Sequence, residues 1–246
     1  MSNAYERVER GQPNTLSYKV YLKNKATNEF VSPFHDIPLA HDKANHIYNM
    51  VVEIPRWTNA KMEISKSDKF NPIVQDVKSN KLRFVNNVFP HHGYIWNYGA
   101  LPQTWEDPNE KDEPTGCNGD NDPLDVCEIG SQIHARGSVI QVKVLGCVGL
   151  IDDGEADWKI IAIDVNDPLA ASLNDIDDVE KQLPGLLDAT RDWFKIYKVP
   201  TGKPVNSFAE GGKFYDRQFS LKIIDHDHKS WLKLITGVYK DTPDMM

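Results

Sequence analysis

Three carboxylates fall inside six residues in the run Gly119-Asp120-Asn121-Asp122-Pro123-Leu124-Asp125-Val126. Carboxylates gathered this closely by a fold repel one another and rise in pKa unless a cation compensates them. A hard divalent metal is the natural compensation. Mg²⁺ in particular takes oxygen ligands, commonly keeps waters, and binds a few carboxylates together with substrate phosphates. Two other Asp-rich patterns do not fit. A calcium loop of the EF-hand kind starting at Asp120 needs Gly at its sixth position and Glu at its twelfth, where this chain has Asp125 and Ser131. A nucleophilic aspartate at the end of a buried strand needs an apolar run before it, and Thr115-Gly116-Cys117-Asn118-Gly119 is a loop sequence.

A second acidic cluster, Asp152-Asp153-Gly154-Glu155-Ala156-Asp157, reads alone as a charged hairpin turn. Together with the first it could complete a metal site. In Lys61-Met62-Glu63-Ile64 strand alternation puts Lys61 and Glu63 on one face and Met62 and Ile64 on the other. Glu53, in Val51-Val52-Glu53-Ile54, is either an edge-strand charge or a site residue. Arg83, Lys61, Lys159 and the pair Tyr197-Lys198 are candidate anion binders, although each alone is more often a surface group. Carboxylates combined with Arg, Lys and Tyr are what metal-assisted phosphoryl transfer needs. The sequence carries no nucleophile-elbow serine, Walker A loop, dinucleotide-binding glycine motif or zinc-protease helix. His91-His92 and His226-x-His228 lack a third nearby soft ligand and read as surface or packing histidines.

The elements that must position these groups belong to a soluble globular chain of 246 residues, 40% hydrophobic and 26% charged. Three cysteines with no C-x-x-C pair argue against a disulfide scaffold or zinc ribbon and suit a reducing compartment. The net charge of −8 is concentrated: nine acids against Lys111 lie between Glu106 and Glu128, so the remainder balances. That favours cations as partners and gives no basic stripe for nucleic acid. Glu110 to Glu113 reads as a solvated acidic loop. The longest apolar run, Val144 to Ile151, is far short of the roughly 20 residues of a membrane helix. With no signal or transit pattern at the start, the expected address is cytoplasmic.

Short β-like runs at 18–22, 47–54, 61–65, 82–85, 139–148 and 158–165, separated by Pro, Gly, Asn and Asp, predict a barrel or sandwich. The last third changes to helical spacing. One stripe is Leu183, Leu186, Leu187, Phe194 and Tyr197, with Pro184 in a first turn. Another is Phe214, Gln218, Leu221 and Ile224, continued by Trp231, Leu234 and Ile235 before Gly237. The architecture expected is α+β, mainly β, in one domain over 1–246.

From about Leu16 to Trp231 the chain resembles the family I soluble inorganic pyrophosphatases of the eukaryotic type. The resemblance rests on Asp120-Asn121-Asp122-Pro123-Leu124-Asp125-Val126, which satisfies that family's signature at every position. Phe34-His35-Asp36-Ile37-Pro38, Val52-Glu53-Ile54-Pro55-Arg56-Trp57, Phe89-Pro90-His91-His92-Gly93-Tyr94 and Asn97-Tyr98-Gly99-Ala100 extend it. Trp96 and the loop Asn109 to Asn118 depart from the family pattern and touch none of the site residues carried over; the chain also ends soon after Gly237, where some relatives have a longer tail that would bear on C-terminal contacts and assembly.

The resemblance implies a five-stranded OB-like β-barrel core, about 16–236, with flanking helices, two of them main helices in the C-terminal third, and short extensions at both ends. It implies Mg²⁺-dependent hydrolysis of pyrophosphate to two phosphates, drawing pyrophosphate-releasing biosynthesis forward. Asp120, Asp125 and Asp157 would hold the first Mg²⁺, with Asp125 shared by a second. Asp152 and Glu63 would serve metals arriving with substrate, and Glu53 would lie behind these ligands. Mn²⁺ is the substitute metal. Asp122 would orient and deprotonate the attacking water, and Tyr94 would donate a proton. Lys61, Arg83, Tyr98, Lys159, Tyr197 and Lys198 would surround the phosphates. A homodimer is expected, with Trp57 or Trp96 on the shared face, and neither nucleic acid nor membrane as partner. A phosphohydrolase for polyphosphate or nucleotides, a silent subunit relative and an acidic cation-binding module are the alternatives.

Overall fold

The computed structural model describes residues 4–237; positions 1–3 and 238–246, within the expected terminal extensions, lie outside the described residues. Strands β1 (Tyr5–Arg10), β2 (Lys19–Asn24), β3 (Phe30–Val31), β4 (Ala40–Asp42), β5 (Ile47–Ile54), β6 (Met62–Ile64), β7 (Ile73–Gln75), β8 (Val77–Lys78), β9 (Lys81–Leu82), β10 (Asn97–Ala100), β11 (Asp125–Glu128), β12 (Val139–Asp152) and β13 (Glu155–Asp164) come first. Helices α1 (Ile176–Gln182) and α2 (Leu186–Ile196), strand β14 (Ser207–Phe208) and helix α3 (Arg217–Ile235) follow.

The five-stranded barrel is visible in the pairing. β5 pairs with β12, β12 with β13, β13 in parallel with β11, β11 with β10, and β10 returns to β5. A second sheet, in the order β1-β2-β7-β6 with β3 beside β2, carries Glu63. β1 joins this sheet N-terminal of the expected start at Leu16. Successive side chains of a strand enter opposite faces, and here both faces are buried. Val51, Ile161 and Ile163 enter one apolar cluster, whereas Met50, Val52, Ile160 and Ala162 enter another with Ile223 and Ile224 of α3. Strands covered on both sides read as continuous apolar runs, which is how β12 and β13 appear in the sequence. Gly99 is required by close approach, because a Cβ there would lie 1.9 Å from the Val51 carbonyl oxygen across the β5–β10 pair.

The helices depart from the predicted spacing at their ends. α2 begins at Leu186, because Gly185 at φ 84° ends the preceding turn, so Leu183 and Pro184 lie outside it. Its buried face is Leu187, Thr190, Trp193 and Phe194. α1 was not expected: its seven residues, capped reciprocally by Asp175 and Asp178, are too few to show a period. α3 starts after Asp216, whose Oδ1 accepts from the Phe219 N–H at 2.7 Å. Its buried stripe is Ser220, Ile223, Ile224, Asp227, Ser230 and Trp231, whereas Gln218 and Ile235 are exposed. Buried Ser and Asp hid that register. The strand expected over 82–85 is reduced to Lys81–Leu82, with an isolated bridge between Ala60 and Phe84.

Trp96 corrects the expectation of an exposed aromatic. It is 1% exposed, stacks on Phe194 with ring centroids 4.8 Å apart, and donates from Nε1 to Thr190 Oγ1 at 2.9 Å. Trp57 is the exposed one, at 53%. No helix among the described residues is long and apolar enough to cross a membrane.

Candidate active site

All fourteen site residues anticipated from the sequence line one cavity of about 210 Å³ at the mouth of the barrel. The strands deliver them in small sets. β13 alternation aims Glu155, Asp157 and Lys159 to one side, and parallel pairing sets Lys159 opposite Asp125 at the start of β11. The β12–β13 hairpin turns through Asp153 and Gly154, both at positive φ, which leaves Asp152 at the cavity. Glu53 is the last residue but one of β5, Lys61 and Glu63 flank Met62 at β6, and Arg83 follows β9. Met62 and Ile64 are buried, as the alternation predicted.

The Asp120 loop is fixed by its own backbone. The Asp122 N–H donates to Asp120 Oδ1 at 2.9 Å, and the Ala156 N–H donates to the Asn118 carbonyl at 2.8 Å, tying the loop to β13. Tyr98, Tyr94, Trp193 and Tyr197 form a continuous aromatic wall, with successive ring centroids 5.1, 4.9 and 4.9 Å apart. Trp193 Nε1 donates to the Gly93 carbonyl at 2.8 Å, so α2 positions the tyrosines.

Nine carboxylates and four cations line the cavity, a formal excess of five negative charges. The cations are already paired. Lys159 bridges Asp125 and Asp157, and Lys198 pairs with Asp152. Lys61 lies 2.7 Å from Glu63, and Arg83 lies 2.9 Å from Asp76. Tyr197 donates to Asp152 at 2.6 Å and Tyr98 to Asp125 at 2.5 Å. Glu53, almost fully buried, accepts from the Ile64 N–H at 2.7 Å.

Burial dominates the proton affinities. It lifts Glu53 and Asp120 well above the usual carboxylate range, aided by Asp125 at Glu53 and by Asp157 and Asp122 at Asp120. Asp157 is pushed up to about 7, burial and Asp125 outweighing Lys159. Burial alone would lower the Lys159 and Lys61 ammoniums, but Asp125 and Asp157 hold the first high, and Glu63, Tyr94 and Asp76 the second. Burial also raises the Tyr94 phenol and keeps it protonated. Carboxylates with raised proton affinity, in excess over their cations, suit a divalent metal.

Metal-free protein should therefore be more stable at pH 6 than at pH 8. Asp157 titrates near 7 when folded and near ~3.9 in a free chain. The folded state holds the extra proton between those values. The stabilisation is complete below about pH 4 and is lost as pH rises through 7. Asp120 acts in the same direction; burial lowers the pKa of His35, which therefore acts the opposite way as the free-chain imidazole loses its proton, and Asp76 and Asp164 are lowered and titrate below this window. The Asp157 contribution to the expected difference is about 1.4 kcal/mol, or roughly 3–6 °C in Tm. Calorimetry in EDTA at the two pH values checks it; equal or reversed Tm values contradict it.

A family model described as inorganic pyrophosphatase matches residues 50–232. The chain belongs to the inorganic pyrophosphatase family. It is 59% identical over 238 residues to the inorganic pyrophosphatase of Kluyveromyces lactis, covering 97% of this chain and 82% of the relative. With that of Drosophila melanogaster it shares 61% over 231 residues, 94% of this chain and 68% of the relative. The Schistosoma japonicum inorganic pyrophosphatase structure superposes with a TM-score of 0.91 at 62% identity, covering 93% of this chain and 80% of that one. A truncated vacuolar soluble pyrophosphatase of Trypanosoma cruzi, solved in complex with PPi, gives 0.87 at 44% identity, covering 96% and 92%.

Against this family background the structure adds three charged residues that sequence reading missed. Asp76 pairs with Arg83 and lies 3.4 Å from Lys61. Lys66 donates to Asp122 at 2.5 Å and to the Asn121 carbonyl at 3.0 Å. Glu106 forms, with Asp120 and Asp157, the one group of three potential ligands within 4.8 Å of one another among the described residues. Asp76 follows the β7 run and could have been found by strand alternation; Lys66 carries no such signal.

Proposed function

We propose that this chain hydrolyses inorganic pyrophosphate to two phosphates with Mg²⁺, as a single domain over 1–246 with its core at about 16–236. The observation that carries this reading is the meeting of all fourteen carried-over residues in one cavity whose acids outnumber its cations. Asp120, Asp125 and Asp157 would hold the first ion, and Asp152 and Glu63 would receive ions entering with substrate. Bound Mg²⁺ supplies positive charge to the phosphate oxygens and makes the attacking water a stronger acid. Mn²⁺ offers the same octahedral oxygen chemistry.

The chain's own groups do the rest. Asp122, half-exposed at the rim of the cavity, takes the proton from water. Lys61, Arg83, Lys198 and Tyr197 leave their carboxylate partners to grip phosphate oxygens, while Lys159 and Tyr98 do so from the floor. Small, highly charged pyrophosphate offers little else to hold, and these fixed cations stabilise charge spread over its oxygens in a loose transition state. Tyr94, a buried phenol lining the cavity and kept protonated by burial, would donate to the departing phosphate. Exchange of internal ion pairs for carboxylate–metal and cation–phosphate pairs makes metal and substrate each favour the other's entry.

Phosphate release from pyrophosphate by the purified protein, with Mg²⁺, with EDTA and with Ca²⁺, tests the proposal. Rapid release that requires Mg²⁺ and fails with Ca²⁺ is expected; folded, Mg²⁺-loaded protein that releases none overturns it.

The assembly proposed is a homodimer. Trp57 is 53% exposed beneath the Arg56 guanidinium, which lies 5.7 Å from the ring centroid, and Phe89 is exposed at 96%. Such aromatics with Arg suit a protein interface, and light scattering measures the mass directly. Three unpaired cysteines support the cytoplasm as the proposed address.

A further inference from the structure

Glu106 stands behind the cation site and has no part in the reading above. It is 3% exposed. Its backbone is clamped to the Asp120 loop from both sides: the Glu106 N–H donates to the Asp122 carbonyl and the Asn121 N–H to the Glu106 carbonyl, each at 2.9 Å. A Cβ at Gly119 would lie 2.4 Å from the Glu106 carbonyl carbon, so loop and residue are packed as one piece. Oε1 accepts from the Trp158 N–H at 2.8 Å on β13. Oε2 is buried and has no hydrogen-bond partner among the described residues.

A buried acceptor left unpaired is costly, and more so when charged. Structure alone does not ask for a carboxylate here. Glutamine would supply the same acceptor to Trp158 without adding negative charge beside Asp120 and Asp157, whose ligand atoms lie within 4.8 Å. Burial, with Asp120, Asp227 and Asp157, lifts the Glu106 carboxyl well above the usual carboxylate range, and Lys159, which acts against that shift, is already shared by Asp125 and Asp157. A cation common to all three acids resolves the conflict.

We propose that Glu106 is a fourth carboxylate of the inner cation site, with Oε2 bound to the ion held by Asp120 and Asp157 or to one of that ion's waters. The inference rests on the metal-dependent reading above and deepens it. The inner site then has its acids on four elements: the Asp120 loop, the start of β11, β13, and the segment before Asp107.

Mn²⁺ binding, followed by the electron paramagnetic resonance of free Mn²⁺, tests the proposal without reference to turnover. Glu106→Gln should weaken binding by about 10–100-fold, the usual cost of losing a supporting group at a metal. Its Tm in EDTA should equal or exceed that of wild type, while the rise in Tm on adding Mn²⁺ should shrink. Asp227→Asn is the control, since Asp227 is equally buried with an unpaired Oδ2 but lies outside the three-acid group. It should bind Mn²⁺ like wild type. Affinity of Glu106→Gln within twofold of wild type overturns the proposal. Should that variant not fold, Glu106→Asp decides: it keeps the charge and shortens the reach, so tenfold weaker binding supports the proposal and unchanged binding overturns it. Wild-type protein that binds no Mn²⁺ would instead sink the metal-dependent reading itself.

Discussion

Asp122→Asn should lower kcat for pyrophosphate by about 10²–10⁴-fold, the usual contribution of a positioned base, in protein that folds as wild type does. The asparagine amide keeps the size and one acceptor oxygen of the carboxylate but cannot take a proton. Little stability is at stake. The side chain is 44% exposed, and its contact with Lys66 is a partly exposed ion pair of the kind worth about 1 kcal/mol or less. The bonds that hold the loop here, from the Asp122 N–H to the Asp120 Oδ1 and from the Glu106 N–H to the Asp122 carbonyl, use only backbone groups of Asp122. Metal affinity should change far less than turnover, because Asp120, Asp125 and Asp157 remain. Lys66→Met, which removes only the neighbouring ammonium, should cost far less in kcat. Steady-state rates with saturating Mg²⁺ from pH 6 to 9, beside a thermal melt, make the measurement. A variant with kcat within tenfold of wild type removes Asp122 from the role of base.

What the sequence could disclose follows how each residue is presented along the chain. Asp120, Asp122 and Asp125 share a single loop, so their chemistry was legible by spacing alone. Lys61 and Glu63 were legible because strand alternation puts them on one face, and β6 keeps it. Arg83, Tyr94, Tyr98 and Tyr197 stand singly on four segments, and no periodicity joins them; Arg83 and Tyr197 offered themselves only as candidate anion binders by residue type, the family resemblance alone named Tyr94 and Tyr98, and the fold brings all four together. Glu106 was hidden by its neighbours. It opens an acidic stretch whose middle, Glu110 to Glu113, is exposed or only partly buried, and composition does not separate the buried acid from the solvated ones. Among elements, β12 and β13 were visible as apolar runs. β10 was not, since Asn97, Tyr98, Gly99 and Ala100 combine polar, aromatic and small residues chosen by hydrogen bonds and close approach rather than by a buried face.

The largest loss of stability is expected from Lys159→Met, by about 3–5 kcal/mol in EDTA, the range for breaking a buried ion pair from one side. Lys159 is 1% exposed. Its ammonium pairs with Asp125 and Asp157, donates to the Tyr98 hydroxyl oxygen at 3.0 Å, and lies 5.6 Å from the centroids of Tyr98 and Phe194. Methionine fills much of the volume, so the cost comes from charge and not from a cavity. Two carboxylates are left facing each other, with Asp120 close by and no cation between them. The penalty therefore carries a pH signature. Protonation relieves it, so the deficit should be smaller at pH 6 than at pH 8. It also carries a metal signature. A divalent ion supplies the positive charge that the side chain no longer does, and binding to the folded state alone stabilises it by mass action; millimolar Mg²⁺ should recover a substantial part of the loss. Urea unfolding at both pH values, with EDTA and with Mg²⁺, reads all three effects. A loss below about 1 kcal/mol in EDTA would mean that the acids hold one another's protons without help. A loss that Mg²⁺ does not reduce would mean that the ion binds elsewhere. Lys159 is thus assigned two duties that compete. It pairs with Asp125 and Asp157 in the structure, and under the proposed function it would be released toward the phosphates once metal enters, so the residue expected to keep the metal-free protein folded would also be one that substrate recruits.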